Sequence, residues 1–186
     1  MPLRVIAGEL RGRKLATPEG QGTRPTPDRV REALFNIVGA RVAGARVLDL
    51  FAGSGAVGIE ALSRGAERAV FLESSPRALA VLGKNLASLS LGLRGIVVAA
   101  PWPSGLSLAA GSGPFSIVFA DPPFSAAPYR EILESLIARE SLAAEPLIVL
   151  EHESRTAMLA ETPGLKLNRI ATYGRVALAF YGRDTG

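Results

Sequence analysis

Short apolar runs alternate with helix-like stretches along most of this 186-residue chain. The runs have the apolar composition of buried strands and cover residues 47–51, 69–73, 96–98, 116–120 and 147–150. Helices are predicted between them at about residues 55–64, 76–89 and 128–139. Strands that are apolar throughout must be covered on both faces, as happens when a parallel sheet lies between two helical layers. The sequence therefore predicts a doubly wound α/β domain, with ligands at the carboxyl ends of the strands.

The two ends of the chain show different patterns. Residues 3–15 alternate weakly and contain two glycines, as a short hairpin would. Thr26, Pro27 and Asp28 then predict the start of a helix that ends at Gly39. Residues 165–181 hold two apolar runs without a helix between them, so Tyr173-Gly174-Arg175 is interpreted as the turn of an antiparallel hairpin. Tyr173, Phe180 and Tyr181 are expected to pack in that hairpin.

Composition excludes several kinds of chemistry. The chain has no cysteine and one histidine, which excludes disulfides, thiolate metal sites and a zinc centre built on histidines. The long uncharged stretch at residues 95–120 is interrupted by prolines, glycines and serines, so a membrane helix is not expected there. Because no apolar signal core follows Met1, we expect a cytoplasmic protein.

Positive charge is concentrated in the first quarter of the chain. Residues 1–46 carry nine Lys/Arg against four Asp/Glu, a net +5, whereas the whole chain carries +4. A basic segment on a nearly neutral body favours an anionic macromolecule as partner. The alternative is an ordinary solvated surface, and charge by itself does not decide between the two.

A glycine-rich loop lies between the first predicted strand and its helix. Gly53, Gly55 and Gly58 form a G-x-G-x-x-G pattern, and Glu73 follows Gly53 by twenty residues at the end of the next strand. This is the dinucleotide-binding pattern in its proper context, where the later acid meets a ribose. A purely structural tight turn is the alternative. The pattern alone does not distinguish NAD from S-adenosylmethionine.

Asp49 favours S-adenosylmethionine. A carboxylate at the mouth of the loop would repel a pyrophosphate by about 1–4 kcal/mol at 4 Å. S-adenosylmethionine has no phosphate and carries an ammonium and a sulfonium, which an acid would attract. The competing interpretation is that Asp49 caps the following helix.

A rigid turn follows the fourth strand at the same edge of the predicted sheet. In Asp121-Pro122-Pro123-Phe124, the prolines hold the Asp121 carboxylate and the Pro122 carbonyl toward one point, and Phe124 offers a ring face. Two acceptors and a stacking surface suit the exocyclic amine of a nucleobase removed from its helix. Asp and Pro are also common in turns without any function.

Four blocks of the sequence resemble the RsmD-type bacterial 16S rRNA (guanine-N2)-methyltransferase family. They are Arg24-Pro25-Thr26 with residues 30–36, residues 48–55, residues 60–66 and residues 121–124. The resemblance extends from about Arg4 to Tyr181. It implies a class I S-adenosylmethionine-dependent methyltransferase with a Rossmann-like seven-stranded sheet whose last strand is antiparallel. It also implies an N-terminal hairpin at residues 1–22 and a methyltransferase domain at residues 23–186.

The resemblance assigns roles to individual residues. Asp49, Phe51, Ala52, Gly53, Ser54 and Gly55 would hold the methionine part of the cofactor. Glu73 would hold its ribose. The target guanine would lie on Asp121, Pro122, Pro123 and Phe124. RNA contacts are expected at Arg4, Arg11, Arg13, Lys14 and Arg24. The expected partner is small-subunit rRNA or an assembling 30S particle, bound by a monomer that contacts no membrane.

One feature departs from the family pattern. Many relatives have an acid after the third strand that accepts from the adenine amine, whereas residues 97–102 contain none. Backbone groups or Trp102 are left as partners for the adenine.

Other functions stay open from the sequence. Glu151-His152-Glu153 is not expected to bind a metal, because on a strand His152 points away from the two acids. The same glycine loop fits an NAD(P)-dependent oxidoreductase, and the same turn fits amino-group methylation of adenine in DNA or RNA. A non-catalytic RNA-binding assembly factor is the third alternative.

Overall fold

A computed structural model describes residues 3–18, 27–123 and 128–184. These residues contain five α-helices and eight strands, which alternate as far as the fifth strand. The helices are α1 (Asp28–Val38), α2 (Ala56–Ser63), α3 (Pro76–Ser88), α4 (Ser104–Ala110) and α5 (Tyr129–Ala138). The strands are β1 (Arg46–Leu50), β2 (Arg68–Glu73), β3 (Gly95–Ala99), β4 (Phe115–Ala120), β5 (Leu142–Glu153), β6 (Glu161–Thr162), β7 (Leu165–Tyr173) and β8 (Val176–Arg183). A 3-10 turn at Gly39–Val42 follows α1.

The described strands form one sheet in the order β3-β2-β1-β4-β5-β8-β7-β6. β1 to β5 pair in parallel, while β8 pairs antiparallel with β5 and β7. This is the predicted doubly wound sheet with an antiparallel last strand. The strand count differs by one, because the two-residue β6 adds an eighth strand at the edge next to β7.

Both faces of the sheet carry a core, because the strand residues alternate between them. On one face, Val47, Phe71 and Phe119 pack with apolar residues of α1, α2, α3 and the N-terminal hairpin. On the other face, Leu48, Leu72 and Val118 pack with α4 and α5. The all-apolar runs in the sequence predicted this burial on two sides.

Helix α4 is missing from the sequence prediction. Its seven residues, Ser104–Ala110, include a glycine and two serines, and they lie inside the uncharged stretch. Local propensity there is weak. A crossover between parallel strands β3 and β4 nevertheless favours a helix, and Leu106 and Ala109 are fully buried in the core. No described helix has the length and apolar character needed to span a bilayer.

The other predicted helices and turns are confirmed within a few residues. Ser75 Oγ accepts from Ala78 N, and Pro76 is the first residue of α3. Gly174, with φ of 71°, lies between β7 and β8 as the predicted turn requires. Helix α1 begins at Asp28, so Pro27 is the N-cap residue and not the first helical residue as its preference for that position predicted, and Thr26 lies outside the described residues.

Candidate active site

The glycine loop, which connects β1 to α2, contains two left-handed glycines. Gly53 has φ of 56° and Gly55 has φ of 79°, and the Gly55 amide donates to the Ala52 carbonyl at 2.8 Å. Glycine adopts this conformation without the clash of a Cβ. The loop is therefore a tight turn at the carboxyl edge of the sheet, as predicted.

Two glycines of the pattern are also required by packing. A Cβ on Gly58 would lie 2.3 Å from Phe71 Cε1, and one on Gly55 would lie 2.4 Å from Leu82 Cδ1. A Cβ on Gly58 would collide with the rigid Phe71 ring, so α2 approaches β2 this closely because Gly58 has no side chain, whereas a Cβ on Gly55 would require the Leu82 side chain of α3 to shift. Close helix–strand packing is the role of the third glycine in nucleotide-binding loops.

Asp49 is the buried acid at the end of β1. Its side chain is only 2% exposed, and its Oδ2 accepts from the Gly58 amide in the first turn of α2 at 2.9 Å. Burial raises the pKa of Asp49 to about 8, against the lowering effect of the Gly58 amide, and the charges of Asp121 and Glu73 add to the rise. Asp49 Oδ2 thus makes the helix-capping contact that was one of the two interpretations of this residue from the sequence. Its predicted contact with the cofactor remains a proposal.

Glu73 connects the end of β2 to the glycine loop. Its Oε2 accepts from the Gly53 amide at 2.8 Å, and its Oε1 accepts from the Ser74 and Ser75 amides at 2.8 and 2.7 Å. The predicted ribose acid therefore lies beside the loop that would hold the other half of the same ligand. These three amide donors were not predicted from the sequence.

Asp121 lies at the same edge, directly after β4. Its amide is 3.5 Å from the Leu50 carbonyl, which places the Asp-Pro-Pro turn next to the glycine loop across neighbouring strands. Burial raises the pKa of Asp121 to about 6. Pro122 is buried and Pro123 is exposed, while Phe124 lies outside the described residues.

The structure thus brings Glu73 and Asp121 within electrostatic range of Asp49. Ionised acids beside a nucleotide-type loop attract positively charged groups and repel phosphates, and a cationic ligand favours the ionised form of Asp49. A ligand with a cationic amino-acid part and no phosphate in its link to the ribose suits this site better than a dinucleotide does.

The N-terminal hairpin is attached to α2 by buried polar groups. Within residues 3–15, the Val5 amide donates to the Arg13 carbonyl and the Leu15 amide donates to the Leu3 carbonyl, both at 2.9 Å. The Glu60 carboxylate accepts from the Ile6 amide at 2.7 Å and the Ala7 amide at 3.0 Å. The predicted hairpin is therefore present. The domain boundary predicted at residues 22–23 lies outside the described residues.

Buried charged side chains complete the attachment of the hairpin to α2, and they were not predicted from the sequence. Glu60 and Arg31 are both fully buried, with Arg31 Nε 3.9 Å from Glu60 Oε2. Arg64 Nε donates to Glu60 Oε1 at 2.7 Å, and Arg31 also donates to the Arg4 carbonyl. Arg31 and Glu60 belong to the sequence blocks behind the family resemblance. Their position next to apolar helix stripes is the signal that could have identified them.

Asn85 forms a second link between the hairpin segment and the body of the protein. Its Oδ1 accepts from the Ala16 amide at 2.8 Å, and its Nδ2 donates to the Ala16 carbonyl at 3.0 Å and to the Ser54 carbonyl at 2.9 Å. Asn85 is 2% exposed. This buried amide therefore joins the glycine loop to the segment that follows the hairpin, and no sequence pattern predicted it.

The basic residues of the hairpin differ in their surroundings. Arg11 and Lys14 are exposed. Arg13 donates to the Ser88 carbonyl at the end of α3 at 3.1 Å, and Arg4 Nε is 4.0 Å from Asp28. Arg24 lies outside the described residues. Arg4 and Arg13 are exposed as well but have these contacts within the protein, and the RNA contacts predicted for the basic residues remain a proposal.

Glu151 and His152 at the end of β5 are buried, while Glu153 is exposed. The His152 ring meets Tyr129 edge-on at 6.3 Å between ring centroids, and its Nδ1 contacts the Glu153 carbonyl at 2.8 Å. Burial lowers the pKa of His152. Across residues 3–18, 27–123 and 128–184, no group of His, Asp and Glu side chains is arranged to hold a metal ion.

Comparisons with known proteins agree with this geometry. The profile of the family described as "Conserved hypothetical protein 95" matches residues 3–182. The chain is 40% identical over 183 residues to ribosomal RNA small subunit methyltransferase D of Escherichia coli K12, covering 98% of this chain and 90% of the relative. It superposes on the solved structure of the Escherichia coli protein yhhF with a TM-score of 0.85 and 40% identity, covering all of both chains. The cofactor-bound structure of Rv0187 from MTB gives a TM-score of 0.68 at 26% identity, covering 86% of this chain and 81% of that one.

Proposed function

The chain belongs to the ribosomal RNA small subunit methyltransferase D family, and on this basis we propose that it methylates the N2 amine of one guanine in small-subunit rRNA. It is an S-adenosylmethionine-dependent methyltransferase. The position of the Asp121 turn carries the proposal of transfer to an amino group, and the resemblance of residues 24–26 and 30–36 to the guanine-N2 family favours guanine over adenine. Asp121 directly follows β4, the strand next to β1, so an amine held there would lie beside the loop that would hold the methyl donor.

The residues at this edge fit S-adenosylmethionine. The ionised Asp49 carboxylate would attract the cationic amino-acid part, the Gly53–Gly55 turn would let the backbone approach it closely, and Glu73 would accept from the ribose hydroxyls. The cofactor supplies a methyl group made electrophilic by a positively charged sulfur. An NAD(P)-dependent oxidoreductase is disfavoured, because the carboxylates of Glu73 and Asp121, and that of Asp49 once ionised, would lie near a pyrophosphate and repel it.

Asp121 and Pro122 would prepare the amine for transfer. The lone pair of the guanine N2 amine is delocalised into the base, so the nitrogen is a weak nucleophile. The Asp121 carboxylate and the Pro122 carbonyl would accept its two hydrogens, orient its lone pair and stabilise the positive charge that develops on it. The nitrogen–carbon bond forms as the carbon–sulfur bond breaks. The proton then leaves to water or to Asp121, so no separate base is required.

The hairpin supports RNA as the substrate. Residues 1–22 would form an RNA-contact arm on the methyltransferase domain at residues 23–186, with Arg11 and Lys14 toward phosphates. Its attachment through Glu60 and Asn85 holds this arm in a fixed orientation relative to the glycine loop. We expect a monomer to act on a 30S particle during assembly.

Nucleoside mass spectrometry after methyl transfer tests the proposal. The protein is incubated with isotope-labelled S-adenosylmethionine and with either naked 16S rRNA or 30S subunits from a strain that lacks the enzyme. The expected product is N2-methylguanosine at one position. Methylated adenosine would refute the proposed guanine specificity, and RNA binding without methyl transfer would favour an assembly factor. Comparison of the two substrates decides whether the particle is required.

A further inference from the structure

Two aromatic rings meet at the carboxyl edge of the sheet, on either side of the end of β2. Phe51 follows β1 and Trp102 follows β3, and their ring centroids are 6.3 Å apart at an interplanar angle of 48°. Phe51 has φ of 62°, a left-handed conformation that is uncommon for a residue with a bulky side chain. Such conformations occur where the surrounding structure enforces them, often at ligand sites.

The order of the strands indicates which part of the cofactor reaches this pair. With the methionine part at the β1 loop and the ribose on Glu73 at the end of β2, the cofactor extends across the sheet edge from β1 toward β2. The next strand in that direction is β3, which pairs with β2 up to Glu73 and Ala99. The base attached to the ribose is therefore expected at the residues that follow β3. This step depends on the proposed function.

The end of β3 offers an aromatic surface and few polar side chains. Ala99, Ala100 and Pro101 precede Trp102, and Pro103 follows it. The Trp102 Nε1 hydrogen-bond donor is buried and has no partner among the described residues. A purine supplies both a ring face for packing and ring nitrogens that accept hydrogen bonds.

We propose that the Trp102 indole, supported by Phe51, is the wall against which the adenine of S-adenosylmethionine packs. Ring contact then provides the affinity that a carboxylate partner would otherwise supply. Alanine substitution of aromatic residues that stack on bases costs about 1–3 kcal/mol per base, which corresponds to a roughly 5- to 150-fold loss of affinity.

The fluorescence of the protein tests this directly, because Trp102 is its one tryptophan. The full chain is titrated with S-adenosylhomocysteine, adenosine and methionine, while calorimetry follows S-adenosylhomocysteine binding separately. We expect S-adenosylhomocysteine and adenosine to change the Trp102 emission and methionine to leave it unchanged. Heat of binding without any change in emission would overturn the inference. Absence of any heat would instead refute the proposed function.

Variants provide the second measurement. Trp102→Leu is expected to lower S-adenosylhomocysteine affinity about 10- to 100-fold, and Trp102→Phe to restore most of it, with RNA affinity unchanged in both. The control is Leu108→Ala, since Leu108 is 69% exposed on α4 close to Trp102 in the chain. Unchanged cofactor affinity in a folded Trp102→Leu variant would contradict the proposal. If that variant fails to fold, the wild-type titration decides.

Discussion

The Asp49 side chain connects the glycine loop to proton chemistry. In the free protein its pKa is raised to about 8, chiefly by burial, so near neutral pH most molecules carry the protonated acid. The cationic end of the cofactor favours the ionised form. Binding should therefore lower this pKa and release a proton.

Cofactor affinity is predicted to rise with pH up to about 8 and then to level off. The reason is that the protonated fraction of Asp49 falls through this range, so less free energy is spent on ionising it. Calorimetry with S-adenosylhomocysteine in buffers of different ionisation enthalpy would measure both the affinity and the proton released. A constant affinity from pH 6 to pH 8 would mean that Asp49 does not contact the cofactor's positive charge.

Two substitutions distinguish a role of Asp49 in cofactor binding from its role in capping α2, namely Asp49→Asn and Asp49→Ala. Asparagine keeps an oxygen for the Gly58 amide, so this variant should retain its melting temperature while its cofactor affinity falls about 10- to 100-fold and loses its pH dependence. Alanine loses the capping bond as well and should also melt earlier. An unchanged affinity with a lowered melting temperature in Asp49→Ala would favour capping as the main role.

Asp121→Ala should slow methyl transfer by about 10²–10³-fold, the scale for losing one preorganised polar contact to a transition state. Because burial raises the pKa of Asp121 to about 6, the wild-type single-turnover rate should fall as pH drops below about 6, where the carboxylate becomes protonated. The variant should lack this pH dependence. Its affinities for the cofactor and RNA should stay near those of wild type. Equal rates for the two proteins would show that the turn has only an architectural role.

At the scale of elements, the hairpin depends on the helices beneath it. A two-stranded hairpin is marginally stable in water. Here Glu60 and Ser63 of α2 bond to the backbone of Ile6, Ala7 and Leu10, and thereby hold the hairpin in place. Removing one partner from a buried ion pair leaves the other charge uncompensated, so substitutions at Glu60 would act through the hairpin as well as on stability.

The exposed basic residues of the hairpin give a prediction about RNA. Arg11→Ala combined with Lys14→Ala should weaken RNA binding and reduce the slope of log affinity against log salt by about 0.7–0.9 for each lost phosphate contact. Cofactor affinity should not change. Lys166→Ala combined with Arg169→Ala removes the same charge from an exposed face of β7 and serves as the control. If both pairs of substitutions have the same effect, the hairpin contributes only through net charge.

At the scale of the whole molecule, the cofactor site is formed by loops that several strands present at one edge. Asp49, Glu73 and Asp121 come from three strands, and the cores on the two faces of the sheet hold these strands in register. A ligand that bridges such loops should stabilise the entire fold, because it binds only when all of them are in place.

S-adenosylhomocysteine at a hundredfold excess over its Kd should therefore raise the melting temperature by about 5–10 °C. This follows from about 2.7 kcal/mol of linked stabilisation and a shift of about 2–4 °C per kcal/mol for a chain of this size. NADH at the same concentration should leave the melting temperature unchanged. Stabilisation by NADH and not by S-adenosylhomocysteine would contradict the assignment of the cofactor. Differential scanning fluorimetry is sufficient for the comparison.

The sequence by itself determined the features that depend on local periodicity and on special backbone conformations. All-apolar runs predicted the buried parallel strands, and Ser75-Pro76 predicted the start of α3. Gly53, Gly55 and Gly58 predicted the loop, because a left-handed turn and a close helix contact tolerate few other residues. The adjacency of Asp49, Glu73 and Asp121 followed from the shared carboxyl edge of parallel strands.

Only the tertiary structure decided which polar groups are buried together. Glu60 meets the Ile6 amide across 54 residues, and Asn85 meets Ala16 across 69. Helix periodicity shows where apolar residues fall, but it does not show that Arg31 and Glu60 will neutralise each other inside the core. The raised pKa of Asp49 likewise results from burial beneath α2. Helix α4 forms because the crossover from β3 to β4 requires it, although its own residues favour helix only weakly.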